Sequence, residues 1–354
     1  MPLLRQDLAT RRWCIISTER ARRPDDFSSH RGAPASLPPY SPTCPFCPGN
    51  EHMAPEPVYV VPDRGSGDGR TCEGRSVGGK TGDGKRWAVR VVPNKFPALV
   101  APAPGAEPRK RRQVGLYLEM DGCGQHEVVI ESPDHSKTIA TMSDEETTRV
   151  VLTYRERFLA LDKSDWNELI IIFRNQGEVA GTSLAHPHSQ IVGTPIVPSD
   201  IRCRLEEAQR HFDDRGTCVY CDMLDAEIAE GSRLVAANAG FVAFCPFASA
   251  VPYATWIVPR RHASSFGVLT DEEAGLLAQI LRDNLRRLYL LLSNPDYNYV
   301  IRSSPHHAAG EPHFHWYLEI LPRLTTQAGF EIGSGMSVNI VAPEAAAAQL
   351  RDAS

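Results

Sequence analysis

Short apolar runs bounded by turn residues recur along the chain and predict β-strands at 11–17, 86–92, 126–131, 169–173, 241–244, 255–258 and 297–301. Twice the apolar period lengthens to three and four. Val151, Tyr154, Phe158 and Leu161 make one helical stripe, and Leu277, Leu281, Leu285 and Leu288 make another. A capping box precedes each, Ser143 with Glu146 and Thr270 with Glu273. A mostly apolar run from Ile191 to Val197 follows Ala185-His186-Pro187-His188-Ser189-Gln190, and its first part reads as a strand. Alternation along a strand puts His186 and His188 on one face. Pro187 is tolerated at a strand's start, where a missing N–H costs little. The Ser- and Pro-rich text at 26–43, the glycine-rich text at 63–85 and the charged text at 101–113 read as loops. The glycine-rich stretch lacks GxxxxGK[ST] before a helix, so it is not read as a phosphate-binding P-loop.

The order of these features repeats. Each half reads Cys-x-x-Cys, strand, terminal histidine, capped helix, strand, then His-x-His running into a strand. The first half supplies Cys44, Cys47, His135 and His186/His188; the second supplies Cys218, Cys221, His262 and His313/His315. The interval from His135 to His188, 53 residues, equals that from His262 to His315, which aligns His313 with His186 and His315 with His188. Matched order and spacing imply one internal duplication. The expectation is an α+β fold of two halves, 1–198 and 199–354. Antiparallel sheets with flanking helices would pair about a pseudo-twofold axis.

Composition narrows the chemistry. The net charge is −5 over 354 residues, so no global basic field argues for a nucleic-acid or membrane partner. The N-terminus has no apolar leader and no run approaches a membrane span, which predicts a cytoplasmic protein. In that reducing compartment nine cysteines do not suggest a disulfide framework, and the two Cys-x-x-Cys pairs point to metal or redox chemistry. Two imidazoles on one stiff element can divide labour, one anchored on metal and one attacking an electrophile. We assign the first part to His186 and the second to His188. Cys44, Cys47 and His135 with one histidine of that pair make a closed tetrahedral zinc set. Cys218, Cys221 and His262 with His315 or His313 make a second. An imidazole that attacks phosphorus splits one displacement into two and predicts ping-pong kinetics. Gln190, Ser183 and the basic cluster Arg20, Arg22 and Arg23 are candidate donors to the transferring phosphoryl oxygens.

At these residues the chain resembles the galactose-1-phosphate uridylyltransferase family, a branch of the histidine-triad superfamily. The resemblance rests on Cys44-Pro45-Phe46-Cys47, Ser132-Pro133-Asp134-His135, Asn175 through Ser183, and His186-Pro187-His188-Ser189-Gln190. It implies two histidine-triad-like halves and a nucleotidyltransferase whose His188 becomes nucleotidylated. It also implies zinc on Cys44, Cys47, His135 and His186. Nucleotide contacts are implied at Arg20, Arg23, Asn94, Phe96, Asn175, Gly181, Ser183 and Gln190. The implied reaction moves a uridylyl group from UDP-glucose to galactose 1-phosphate, within galactose and carbohydrate metabolism, and the family is often homodimeric. The text at 329–335, the second Cys-x-x-Cys and His315 before Trp316 look more like the plant ADP-glucose phosphorylase branch. There the acceptor is inorganic phosphate and the group transferred is adenylyl. A non-catalytic, zinc-stabilised nucleotide-binding protein is the alternative from another class. Hydrolysis is disfavoured because Gln190 stands where hydrolytic relatives carry a third histidine.

Overall fold

The structure, a computed structural model, describes residues 1–20, 37–63, 75–76 and 86–353; the side chains of Arg20 and of 75–76 are not described. Arg22, Arg23 and most of the glycine-rich stretch lie outside the described residues. The first half runs β1 (Leu3–Gln6), β2 (Trp13–Ile16), β3 (Tyr59–Pro62), β4 (Arg75–Ser76), β5 (Trp87–Pro93), β6 (Arg112–Val114), β7 (Tyr117–Glu119), β8 (Gln125–Ile130), α1 (Asp144–Asp162), β9 (Leu169–Gln176) and β10 (His188–Thr194). The second runs α2 (Ser199–Arg215), α3 (Val219–Glu230), β11 (Leu234–Ala237), β12 (Phe241–Phe244), β13 (Thr255–Pro259), α4 (Asp271–Leu291), β14 (Tyr297–Arg302), β15 (Tyr317–Pro322), α5 (Gly329–Ser334), β16 (Ser337–Asn339) and α6 (Pro343–Asp352).

The fold is α+β, and its duplication is visible in strand order. The first half is ordered β3-β5-β8-β10-β9 and the second β11-β12-β13-β15-β14, each with its capped helix between the third and fourth strands in sequence. β9 and β14 pair antiparallel, with Phe173 opposite Val300, and so fuse the halves into one sheet of eleven strands. Both capping boxes form: the Ser143 hydroxyl accepts from Glu146 N at 3.2 Å, and Thr270 does the same for Glu273 at 3.1 Å. The two stripes named from the sequence are buried, and α1 and α4 pack together over one face of the sheet.

The opposite face differs between halves. Over the second half, Leu205 and Ala208 of α2 and Tyr220 and Leu224 of α3 cover Phe244, Trp256, Val258 and Tyr317. Over the first, among the described residues, the Cys44–Cys47 turn packs down on Trp87, Val92, Val128 and Ile130, with Leu184 beside it. Sequence periodicity missed α2 because its buried face is only Arg204, Leu205 and Ala208 within a charged helix. The chain ends meet: β2 pairs in parallel with β16, and Arg5 bonds Glu344 at 2.9 Å.

One expectation is corrected. β10 begins at His188 but β15 begins at Tyr317, so the residues two before each strand are His186 and His315. The equal 53-residue intervals therefore paired non-equivalent histidines. The loop between β14 and β15 is longer than that between β9 and β10, and this offset mimicked a conserved spacing.

Candidate functional site

His186 sits where the β9–β10 loop enters β10, beside the Cys44–Cys47 turn and the segment that leaves β8. Donor atoms of Cys44, Cys47, His135 and His186 all lie within 4.8 Å of one another, and all four residues are buried. Cys47 Sγ is 3.4 Å from His135 Nδ1 and 3.6 Å from His186 Nδ1, and the two nitrogens are 3.2 Å apart. Around a tetrahedral zinc ion these edges are about 3.6 Å for sulfur to nitrogen and about 3.4 Å for nitrogen to nitrogen. The set therefore fits such an ion. His186 Nε2–H donates to the Ser132 carbonyl at 2.8 Å, which fixes the tautomer and leaves the Nδ1 lone pair available to a metal ion. Burial pushes this imidazole down to about 4, so it stays neutral. Asn50 braces the turn by donating to the Cys44 carbonyl at 2.8 Å.

A second set, Cys218, Cys221, His262 and His315, converges equally, with Cys221 Sγ 3.3 Å from His262 Nδ1 and 3.4 Å from His315 Nδ1. His315, not His313, is the member. The set is less enclosed: His262 is exposed, and His315 Nε2 has no partner among the described residues.

His188 opens β10. Its Nδ1–H donates to the His186 carbonyl at 2.8 Å, so the lone pair resides on Nε2. Burial lowers its basicity and keeps it neutral. The Phe46 ring lies edge-on 5.5 Å from it. Two residues on along the same face, Gln190 Oε1 lies 2.7 Å from His126 Nε2 and 3.5 Å from Asn94 Nδ2. Asn175 pairs with Asn298 across β9–β14, its Oδ1 accepting at 2.8 Å, and Asn298 also donates to the Ala180 carbonyl at 2.9 Å. These bonds hold the 177–183 loop near Asn175. That loop needs glycine at 177, where φ is +84° and a Cβ would lie 2.2 Å from Asp296 Cγ. Gly181, also at positive φ, faces Asn175.

The structure thus gathers Asn94 with Gln190, and Asn175 with Gly181. Phe96 is 82% exposed, and Ser183 is exposed with no described contact to His188. Arg20 ends a short 3₁₀ turn, and Arg23 lies outside the described residues. Sequence reasoning missed His126 and Asn298. The only hint was a polar residue within each apolar strand.

The family model for the N-terminal domain of galactose-1-phosphate uridyl transferase matches residues 78–198. ADP-glucose phosphorylase of Arabidopsis thaliana is 33% identical over 356 residues, spanning 100% of this chain and 93% of that protein. Galactose-1-phosphate uridylyltransferase of Thermotoga maritima is 29% identical over 268 residues, spanning 73% of this chain and 82% of the relative. The crystal structure of the Arabidopsis ADP-glucose phosphorylase with bound ADP-glucose superimposes with a TM-score of 0.80 at 31% identity, covering 100% of this chain and 99% of that one. Among the described residues, no helix is long and apolar enough to cross a membrane.

Proposed function

The chain belongs to the galactose-1-phosphate uridylyltransferase family and is a nucleotidyltransferase; from that premise we propose that it works through a nucleotide carried covalently on His188. The observation that carries this reading is the 2.8 Å bond from His188 Nδ1–H to the His186 carbonyl, which leaves Nε2 as the nucleophilic nitrogen. Nε2 attacks the α-phosphorus of a nucleotide sugar. The P–N bond forms as the bond to the bridging oxygen breaks, and the sugar 1-phosphate leaves with that electron pair. A phosphate oxygen of the acceptor then attacks the same phosphorus, and the P–N electrons return to Nε2. Gln190 and Ser183 donate to the equatorial oxygens. Arg20, Arg23, Asn94, Phe96, Asn175 and Gly181 bind the nucleotide.

Cys44, Cys47, His135 and His186 hold one Zn²⁺, and Cys218, Cys221, His262 and His315 a second. Four protein ligands leave no open position, so a bound ion supplies rigidity rather than an activated water. Ligand thiols of this kind suit a reducing compartment such as the cytoplasm. Residues 1–198 carry the reactive centre and 199–354 the second metal set.

Two donor–acceptor pairs match the mechanism: UDP-glucose with galactose 1-phosphate, and ADP-glucose with inorganic phosphate. The full-length 33% identity to an ADP-glucose phosphorylase favours the second. Denaturing separation after incubation with α-³²P-labelled ADP-glucose or UDP-glucose tests the reading. Wild type should retain an acid-labile label and His188→Asn none; turnover with no trapped label rejects the covalent route. Scoring the same donors with phosphate against hexose 1-phosphates then chooses the pair.

A further inference from the structure

His126 is half-buried on β8, on no motif, and it joins two parts of the site that the sequence keeps far apart. Its carbonyl accepts from Asn94 N at 2.8 Å, its Nδ1 accepts from Ala98 N at 3.1 Å, and its Nε2 lies 2.7 Å from Gln190 Oε1. The Ala98 amide can only donate, so Nδ1 must be the unprotonated nitrogen and Nε2 must carry the proton. Nε2–H therefore donates to Gln190 Oε1. Asn94 Oδ1 accepts from Phe96 N at 2.9 Å, which leaves its NH₂ facing the pair, 3.1 Å from His126 Nε2 and 3.5 Å from Gln190 Oε1. Since Nε2 carries a proton it cannot accept from that NH₂, so the two donors sit side by side and the Gln190 oxygen is the acceptor they share. With Oε1 engaged, Gln190 is left with its NH₂ to offer, and no described residue accepts from it. A carboxamide in an open site is otherwise free to flip and present oxygen to a phosphoryl group, which would repel it.

We propose that His126 is a positioning residue for nucleotidyl transfer, locking Gln190 with its NH₂ turned toward the transferring phosphoryl group while clamping the 94–98 segment. This rests on the reading of His188 and Gln190 given above. A change at His126 should alter the chemical step more than ground-state binding.

The two imidazole nitrogens can be tested separately. A glutamine side chain places its NH₂ near the Nε2 position, and an asparagine places its oxygen near Nδ1. Single-turnover labelling with α-³²P-ADP-glucose or UDP-glucose, whichever labels wild type, and steady-state kinetics are measured on wild type, His126→Gln, His126→Asn, His126→Phe, Gln190→Ala and the His126→Phe/Gln190→Ala double variant. Loss of one oriented donor predicts that His126→Phe lowers kcat about 10²-fold with KM within about threefold. His126→Gln should recover most of the rate and His126→Asn should not. The double variant should be no slower than Gln190→Ala alone, because the two residues act as one unit. The proposal is overturned if His126→Phe works at the wild-type rate, if the two losses multiply, or if Asn rescues as well as Gln. Should His126→Phe fail to fold, judged by its thermal midpoint, the Gln-against-Asn contrast decides alone. Failure of wild type to carry label on His188 removes the underlying reading too; a labelled wild type without the coupling removes only this one.

Discussion

The two halves share strand order, a capped helix and a Cys₂His₂ set, yet differ where the matching strands β10 and β15 begin. In the first half the residue two past the metal-set histidine is His188, followed two later by Gln190. In the second half the same places hold Tyr317 and Glu319. Tyr317 is fully buried, its hydroxyl accepting from Arg204 Nη1 at 2.9 Å, and Glu319 is tied to Arg302 at 2.8 Å and to Trp256 Nε1 at 3.3 Å. Helices α2 and α3 close over that face, whereas among the described residues its counterpart in the first half is covered by the Cys44–Cys47 turn and Leu184. If His188 is the nucleophile proposed above, the Cys₂His₂ knot and the reactive nitrogen are separable. On the proposed reading, the Cys₂His₂ set fixes where the strand begins, and the chemistry depends on which residue occupies its first position.

The largest effect that tests this separation is loss of the nucleophile. His188→Asn should lower nucleotidyl transfer by about 10⁴-fold or more, since removing a covalent nucleophile leaves only binding and positioning. Metal content, by elemental analysis, should be unchanged. A fall in metal content would show that His188 also supports the ligand set and that the two functions are not separable.

Next come the ligand sets themselves. Cys44→Ser should remove about one metal ion per chain and cost several kcal/mol of stability, because binding free energy at such a site is folding free energy. Cys221→Ser should cost less, because its set includes the exposed His262. Denaturant titration with and without chelator measures both. Transfer should fall with Cys44→Ser only as far as the β10 strand loosens, and Cys221→Ser should spare it. Equal activity losses at both sites would overturn the assignment of the reactive centre to one half.

Much of this contrast could be read from the sequence, and the unread part has a physical cause. Apolar alternation and two capping boxes located the inner strands and the long helices, because those elements bury a full face. The two Cys₂His₂ groups were legible because cysteine and histidine identities carry their chemistry in the letters. Cross-strand relations were not. His126 meets Gln190 only because β8 and β10 pair in the register that sets His126 opposite Val192 and Val128 opposite Gln190. The alignment of His315 with His188 failed for a related reason: loop length is free to drift, whereas the distance from ligand to strand start is not.

The smallest effect falls on Tyr317, and it is the most discriminating. Tyr317→Phe keeps the ring against Trp256, 4.4 Å away between centroids, and against Tyr220 at 5.3 Å. Only the hydroxyl that accepts from Arg204 is lost. Arg204 keeps Asp200 at 3.3 Å, so it is not stranded as an unpaired buried charge. The cost should be about 1.5–3 kcal/mol, the range for one hydrogen bond to a charged group. It should appear as a lower denaturation midpoint with unchanged transfer rate. If transfer fell instead, the tyrosine in the second half would be contributing to the reaction across the fused sheet. The first-position rule would then describe one site built from both halves rather than a working half beside a structural one.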